Sequence, residues 1–207
     1  MNDLVEYSFN LNILFLGGVS IYSAERAINS KQSLSNSIAC LINVIAFIQH
    51  NNMRIIWKND HREISLYRYI DWVITCPLLL YEFLLLKKWI KKEYEVIITI
   101  SMISTVLMIM FGYLSETIIK YRWKFYTLAT ISLLVVYSCL LYIYNNEKKR
   151  GSYSNKNDWA WIFIGIWAFY GISYLLPKNI KNISYNILDL ISKGIFAILI
   201  GINSENK

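Results

Sequence analysis

Long apolar runs alternate with short polar ones along almost the whole chain. Seven runs of roughly 20 mostly apolar residues can be marked, and each could cross about 30 Å of hydrocarbon as a helix. The first is the weakest, because Asn10, Asn12 and the Gly17-Gly18 pair interrupt it. The pattern predicts an all-α fold, a seven-transmembrane-helix bundle that forms a single domain over residues 1–207. The predicted spans are about 4–25, 34–56, 66–87, 94–115, 124–144, 157–176 and 183–203.

The connections between the runs are short and polar. The N-terminal stretch MNDLVEYSF lacks the basic region of a cleavable signal peptide, so the first run is expected to remain in the protein. Basic residues are most abundant after the third and fifth runs, which by the positive-inside rule places the N-terminus outside and the C-terminus in the cytoplasm. These residues are Lys87, Lys88, Lys91, Lys92, Lys148, Lys149 and Arg150.

The composition fits a multi-pass protein of a cell membrane, with the lipid bilayer as its partner. The formal charge of +7 does not indicate nucleic-acid binding, since the charges lie at span edges, where Lys and Arg orient membrane helices. Cys40, Cys76 and Cys139 fall in different spans, so neither a disulfide framework nor a metal cluster is expected. Nothing resembles a nucleophile–base pair in an aqueous cleft, and we expect no enzyme activity.

The third run contains charged residues where a membrane span should have none. On a helix, Asp71, Thr75 and Glu82 share one face, and Arg68 lies one turn before Asp71. The two carboxyl positions are about 16 Å apart along the axis. Two carboxyl groups in these positions could bind a proton in turn as it crosses the membrane. The alternative is an Arg68–Asp71 ion pair that only holds two helices together, which would explain part of the pattern.

The seventh run carries a second pair of charges. Asp189 and Lys193 are one turn apart near the middle of an apolar helix, so the carboxylate can stabilise the buried amine. A lysine in an apolar pocket is suited to form a Schiff base with an aldehyde, and the alternative is a purely structural ion pair.

Aromatic residues could form the walls for such an aldehyde. Trp167, Tyr170 and Tyr174 share one face of the sixth run, and Trp72 lies beside Asp71. Alone, this stripe would indicate only helix packing. Together with a buried lysine and its carboxylate, it suits a long, flat, conjugated ligand.

Several of these segments resemble the microbial rhodopsins, specifically the proteorhodopsin group. The matching stretches are AFIQHNNMR (46–54), RYIDW..T.PLLL.EF (68–83), FGYLSE (111–116), WAFY (167–170) and NISYNILDLISK (182–193). The abundance of Ile, Asn and Lys and the minimal loops resemble the rhodopsins of giant viruses, which would reside in a host membrane. That viral group includes both pumps and cation channels.

The resemblance implies a cofactor and a role for each charged residue. All-trans retinal would be bound as a protonated Schiff base on Lys193, with Asp71 as the proton acceptor and Asp189 as the second counterion. Arg68 would stabilise these carboxylates, Thr75 would hydrogen-bond near Asp71, and Glu82 would be the proton donor. The stripe and the resemblance together indicate the pocket residues Trp72, Cys76, Pro77, Leu79, Trp167, Tyr170 and Tyr174. Leu79 implies green absorption, and the family implies a homo-oligomer, a trimer or a pentamer.

The sequence also departs from the family. Gln49 occupies the place of a histidine beside the main counterion, with His50 next to it, and Gly171 replaces a proline of the sixth helix. Cys76 fills a position where channelrhodopsins carry cysteine, which suggests a slow photocycle.

A polar stripe on the second run has two interpretations. Asn36, Asn43 and His50 repeat every seven residues, and the first and seventh runs add further polar residues. Interhelical hydrogen bonds are one explanation, and a hydrated ion path is the other. The further polar residues are Asn10, Asn12, Asn186 and Asn203.

From the charged residues and the resemblance we expect a light-driven outward proton pump. A light-gated channel for small cations is the alternative, and a photosensor with a signalling partner is less favoured.

Overall fold

The computed structural model describes the backbone of residues 2–60, 64–150 and 159–205 and the side chains of residues 3–59, 64–150 and 161–202. The side chain of Asn203, one of the predicted polar set, lies outside these ranges. All regular secondary structure in the described ranges is helical. The α-helices are α1 (Asn2–Asn29), α2 (Ser33–Asp60), α3 (Ser65–Leu86), α4 (Glu95–Thr117), α5 (Arg122–Lys149), α6 (Trp159–Tyr174), α7 (Lys178–Asp189) and α8 (Phe196–Glu205). A π-helical turn, Leu190–Ile195, joins α7 to α8 without a break.

These helices confirm the predicted all-α, seven-span fold. Within the described ranges, six helical stretches are long and apolar enough to cross a membrane, the last being Lys178–Ile202. The remaining stretch, Trp161–Tyr174, is apolar but shorter. Several helices run past the predicted spans, as α5 does to Lys149, because polar residues continue the helical hydrogen bonding beyond the apolar run. The placement of the termini on either side of the membrane stays a prediction.

Helix α3 continues through Pro77 in its interior. Proline removes one backbone hydrogen bond, a loss that membrane helices tolerate when neighbouring groups satisfy the freed carbonyl. Since α3 is one helix from Ser65 to Leu86, helical periodicity places Asp71, Thr75 and Glu82 on one face, as predicted.

The chain divides into two compact units, of which the first comprises Met1–Asp71 and Ile166–Lys207. Within it, α1 packs along α2 and also against α7, the π turn and α8. This unit contains two apolar clusters of fully or almost fully buried side chains. One contains Val5, Phe9, Met53, Trp57 and Ile64, and the other contains Val19, Ala39 and Ala197.

Two glycines allow α1 to approach the seventh span closely. A Cβ atom at Gly201 would lie 2.5 Å from the hydroxyl oxygen of Tyr22, and one at Gly194 would lie 2.8 Å from Phe15 Cδ1 and still closer to Cε1. Such distances are shorter than van der Waals contact. These positions are therefore small-residue contacts of the kind that bring membrane helices together.

Replacing Gly194 by alanine should consequently destabilise the protein. Overpacking of this kind costs about 1–3 kcal/mol, which exceeds the gain of up to ~1 kcal/mol in helix propensity. Gly165→Ala is the matched control, since nothing lies within 4 Å of a Cβ there. Thermal unfolding of purified protein should show a lower midpoint for Gly194→Ala only. Equal midpoints for the two variants would contradict this close approach.

The second unit is Trp72–Gly165, in which α4 packs along α5. Its most unusual turn ends α3, where Lys88 has a φ of 57°. The Trp89 amide donates to Leu84 O at 2.9 Å and the Lys88 amide donates to Leu85 O at 3.0 Å. This pattern is a Schellman-type C-cap with lysine where glycine is usual. Trp89 is buried and packs edge-on against Phe83, so the turn is fixed by apolar contact.

A buried carboxylate ties the following turn to the end of α5. Glu147 is 2% exposed and accepts hydrogen bonds from Lys91 Nζ at 2.6 and 2.7 Å and from the Tyr94 hydroxyl at 2.9 Å. Arg150, three residues on, binds Glu93 through both of its terminal nitrogens. Lys91 and Arg150, two of the basic residues that the sequence concentrates in this region, are therefore paired with acidic side chains.

Candidate functional site

Lys193 lies in the π turn and is 1% exposed. At the junction of α7 with this turn, the Leu190 amide is shared between the carbonyls of Asn186 and Ile187. The Asn186 carbonyl also accepts a hydrogen bond from Asn12 Nδ2, at 2.7 Å. A side chain of α1 thus supports the backbone where the helix changes its hydrogen bonding, and such single π turns are frequent at functional sites.

The amine of Lys193 contacts two buried carboxylates. Its Nζ hydrogen-bonds to Asp71 Oδ2 and lies 3.6 Å from Asp189 Oδ1. Both aspartates are fully buried. A buried ammonium group is tolerated only when it is paired and hydrogen-bonded, and these contacts meet that condition. The structure therefore brings together the lysine and the two aspartates that the sequence singled out.

Arg68 completes the charge balance of this group. Its Nη1 lies 3.6 Å from Asp189 Oδ2, and its Nη2 donates to Asn186 Oδ1 at 2.9 Å. The guanidinium also lies over the Tyr185 ring, 5.2 Å from the centroid. Arg68 and Lys193 carry two positive charges and the aspartates two negative ones, so the buried group is formally neutral.

Asp189 has two further neighbours. The Tyr170 hydroxyl donates to Asp189 Oδ1 at 2.7 Å and lies 2.9 Å from Ser192 Oγ. His50 Nε2 lies 3.4 Å from Asp189 Oδ2. Tyr170, which the sequence predicts to line a ligand pocket, is thus a hydrogen-bond donor to one of the two buried aspartates. The contact between His50 and Asp189 was not predicted.

The tautomer of His50 follows from its neighbours. Its Nδ1 lies 2.8 Å from Ala46 O, which can only accept, so Nδ1 carries a proton. Its Nε2 lies 2.9 Å from Asn12 Nδ2, which can only donate, so this nitrogen accepts in the neutral ring. The side-chain atoms of His50, Asp71 and Asp189 that could bind a metal ion lie within 4.8 Å of one another. Lys193 already contacts both carboxylates, so these residues are engaged in ion pairs instead.

The other residues predicted for the site differ in burial. On α6, in the first unit, Trp167 and Tyr174 are buried. Those on α3 after Asp71 belong to the second unit. Trp72, Thr75, Leu79 and Glu82 are buried, and Cys76 and Pro77 are half-buried.

Glu82 differs from the other buried acids. Its side chain is 1% exposed, and within the described part of the chain its Oε1 has no hydrogen-bond partner. An ionised carboxylate would be costly in such surroundings, whereas a protonated one is tolerated.

Interhelical hydrogen bonds among the polar residues of α1, α2 and α7 were one of the two interpretations of the sequence, and the structure contains such bonds. Asn12 bonds to His50 and to the Asn186 carbonyl, while Asn186 Nδ2 donates to Ser8 Oγ at 2.7 Å. The polar set on these runs was the available signal. Which side chains meet could not be read from it, because that depends on how the three helices cross.

Comparisons with known proteins place this site in a family. The model of the family described as bacteriorhodopsin-like protein matches residues 5–204. A green-light absorbing proteorhodopsin from Gamma-proteobacterium EBAC31A08 is 25% identical over 194 residues, which cover 84% of this chain and 74% of the relative.

Solved structures agree with this match. The viral rhodopsin OLPVRII is 26% identical with a TM-score of 0.82, and 96% of each chain is covered. The blue light-absorbing proteorhodopsin from Med12 is 23% identical with a TM-score of 0.81, covering 98% of this chain and 96% of the other. Xanthorhodopsin, described as a light-driven ion pump with dual chromophore, is 20% identical with a TM-score of 0.84, covering 99% and 95%. The last two likenesses show the fold alone.

The family match covers nearly the whole chain, and it agrees with the helical spans and the buried lysine. The chain therefore belongs to the bacteriorhodopsin-like family, the microbial rhodopsins, and is an integral membrane protein that crosses the bilayer several times.

Proposed function

We propose that this rhodopsin is a light-driven outward proton pump with retinal bound covalently to Lys193. The observation that carries the proposal is the buried amine of Lys193 between Asp71 and Asp189. An amine that can bond to an aldehyde, a carboxylate in direct contact with it and a second carboxylate held by other donors are the parts such a pump requires.

The residues present fit retinal as a cofactor. A covalently bound retinal would retain one positive charge on the Lys193 nitrogen. The two negative carboxylates facing that nitrogen already balance this charge and the positive charge of Arg68. When bound, retinal would supply light absorption and a change of shape on illumination. The protein residues then have to hold, accept and replace the proton on the Lys193 nitrogen.

Asp71 is the proposed acceptor of that proton. Its Oδ2 is hydrogen-bonded to Lys193 Nζ, which places a proton acceptor in direct contact with the nitrogen that would carry the proton. Asp189 is engaged differently, because it accepts a hydrogen bond from Tyr170 and pairs with Arg68. We infer that Asp189 stays ionised as a fixed counterion while Asp71 gains and loses the proton.

Glu82 is the proposed donor that restores the proton to Lys193. It lies on α3 about 16 Å beyond Asp71 along the helix axis, and its buried carboxyl group is suited to being protonated at rest. Arg68 precedes Asp71 on the same helix, so the counter-charge, the acceptor and the donor follow one another in that order along α3. With the N-terminus outside, as proposed from the basic loops, this order gives outward transport. Absorption of green light, inferred from Leu79, and assembly as a trimer or pentamer are further parts of the proposal.

Illumination of intact cells that contain the retinal-bound protein tests this function. An outward pump should acidify an unbuffered medium within seconds of the light being turned on, and a protonophore should abolish the change. Medium that becomes alkaline in the light, or a pH change that the protonophore enhances, would contradict outward pumping.

A light-gated cation channel is the second candidate, because buried polar atoms on α1 and α2 favour it. Asn36 and Asn43 are fully buried, and in the described part of the chain the amide oxygens of both lack hydrogen-bond partners, as does Ser23 Oγ. Buried polar oxygens of this kind usually bind water or an ion. If these atoms line a conducting path, Asn43→Leu should suppress a light-gated passive current, whereas it should leave pumping through Asp71 largely intact.

A further inference from the structure

We propose that Asn186 is a positioning residue that holds Arg68 against Asp189 and fastens this arginine to α1 through Ser8. The inference deepens the proposed pump, since it assigns a residue that controls the charge beside the counterions. No residue of α1 is otherwise given a part in that mechanism.

The orientation of the Asn186 amide is fixed by its partners. Its side-chain oxygen accepts from Arg68 Nη2 at 2.9 Å, and a guanidinium can only donate. Its Nδ2 donates to Ser8 Oγ at 2.7 Å, and the Ser8 hydroxyl in turn donates to Val5 O at 2.7 Å. A rotated amide would set its NH₂ group against the guanidinium. The bonds therefore run in one direction, from Arg68 to the backbone of α1.

Asn186 is also fixed through its backbone. Its carbonyl oxygen accepts from Asn12 Nδ2 at 2.7 Å, and Asn12 lies one turn after Ser8 on α1. One face of α1 therefore holds both the side chain and the main chain of this fully buried residue. Such an anchor has little freedom to follow the arginine if the arginine moves.

Arg68 is therefore held by two polar groups of α7. Asn186 binds Nη2, and Asp189, three residues later, lies 3.6 Å from Nη1. The rings of Tyr185 and Phe9 also flank the guanidinium, at 5.2 and 5.9 Å from their centroids. Aromatic rings attract a cation but do not fix the direction of its N–H groups. Without Asn186, the guanidinium should turn more readily away from Asp189.

The test is an acid titration of visible absorption in the retinal-bound protein, since protonation of a counterion shifts the absorption band. Asn186→Leu should raise the midpoint of the transition by about one pH unit, a tenfold change in proton affinity, because less positive charge then faces the carboxylates. Ser8→Ala should raise it by a smaller amount. Adding Ser8→Ala to Asn186→Leu should have no further effect, since both act through one connection.

Asn182→Leu is the matched control, since Asn182 is also a buried asparagine of α7, one turn before Asn186. It should leave the midpoint near that of the wild type. An Asn186→Leu midpoint that matches the wild type, or a shift that Asn182→Leu reproduces, would overturn the proposal.

A second measurement depends on neither retinal nor transport. In retinal-free protein, thermal unfolding of Arg68→Gln, Asn186→Leu and the double variant should show strongly non-additive losses of stability, whereas Arg68→Gln combined with Asn182→Leu should be additive. Additive losses for the first pair would refute the fastening of Arg68 by Asn186. If the coupling is present but illuminated cells do not acidify the medium, the positioning role stands and the pump proposal fails.

Discussion

Replacing Lys193 by arginine is expected to abolish the visible absorption band while leaving a folded protein. Arginine keeps a positive charge between Asp71 and Asp189, so the buried carboxylates remain compensated. Its guanidinium, however, does not form the covalent bond with an aldehyde that the lysine amine can form. The expected loss of the retinal-dependent band is essentially complete.

Lys193→Ala should lose the band for the same reason and also lose stability. Removing one partner of a buried ion pair costs about 3–5 kcal/mol, because the remaining charge is left uncompensated. Lys181→Ala, on the same span, is the control and should bind retinal normally. The measurement is the absorption spectrum after reconstitution with all-trans retinal, together with the thermal unfolding midpoint. Retention of a normal visible band by Lys193→Arg would exclude Lys193 as the attachment site.

Asp71→Asn is expected to reduce directional proton transport to below about one-hundredth of the wild-type rate, within the ~10²–10⁴ range for loss of a positioned acid or base. Asparagine has nearly the same shape but cannot accept the proton from Lys193 Nζ. Retinal should still bind, because Lys193 is intact, and the absorption band should shift, because a neutral amide replaces a carboxylate in contact with the nitrogen.

A second buried carboxylate provides the control for Asp71→Asn. Glu147 is 2% exposed and paired with Lys91, but the proposed mechanism does not use it. Glu147→Gln should retain transport per molecule of pigment, even if less protein folds. The measurement is the initial rate of light-driven acidification of the medium, normalised to bound retinal. Directional transport that persists in Asp71→Asn would remove Asp71 from the acceptor role.

Hydrophobicity was sufficient to predict the helical spans but not their ends. Apolar runs of ~20 residues have few alternatives to a membrane helix, and each predicted span overlaps an observed helix. The observed helix ends differ from the predicted ones because polar residues extend the helices, as at Lys149. The C-cap of α3 was not recognisable, since Lys88 rather than glycine adopts the positive φ.

Closeness along the chain made only the Asp189–Lys193 pair of the charged site predictable, whereas the contact of Asp71 with Lys193 was implied by the family resemblance. Asp189 and Lys193 are one turn apart on the seventh span, so their proximity follows from the helix itself. The contacts of His50 with Asp189 and of Asn186 with Ser8 join residues far apart in the chain. Such contacts depend on how helices rotate and cross, which hydrophobic periodicity does not specify. The π turn was equally hidden, because a local change of hydrogen bonding leaves no clear pattern in the sequence.

The most direct test of the pump is the photocurrent of voltage-clamped cells supplied with all-trans retinal, recorded across voltage under two opposite pH gradients. A proton pump driven through Asp71 should give an outward current at every voltage in both gradients. A current that reverses at a voltage set by the ion gradients would contradict the account and establish a channel. Attention would then move to the buried oxygens of Asn36 and Asn43.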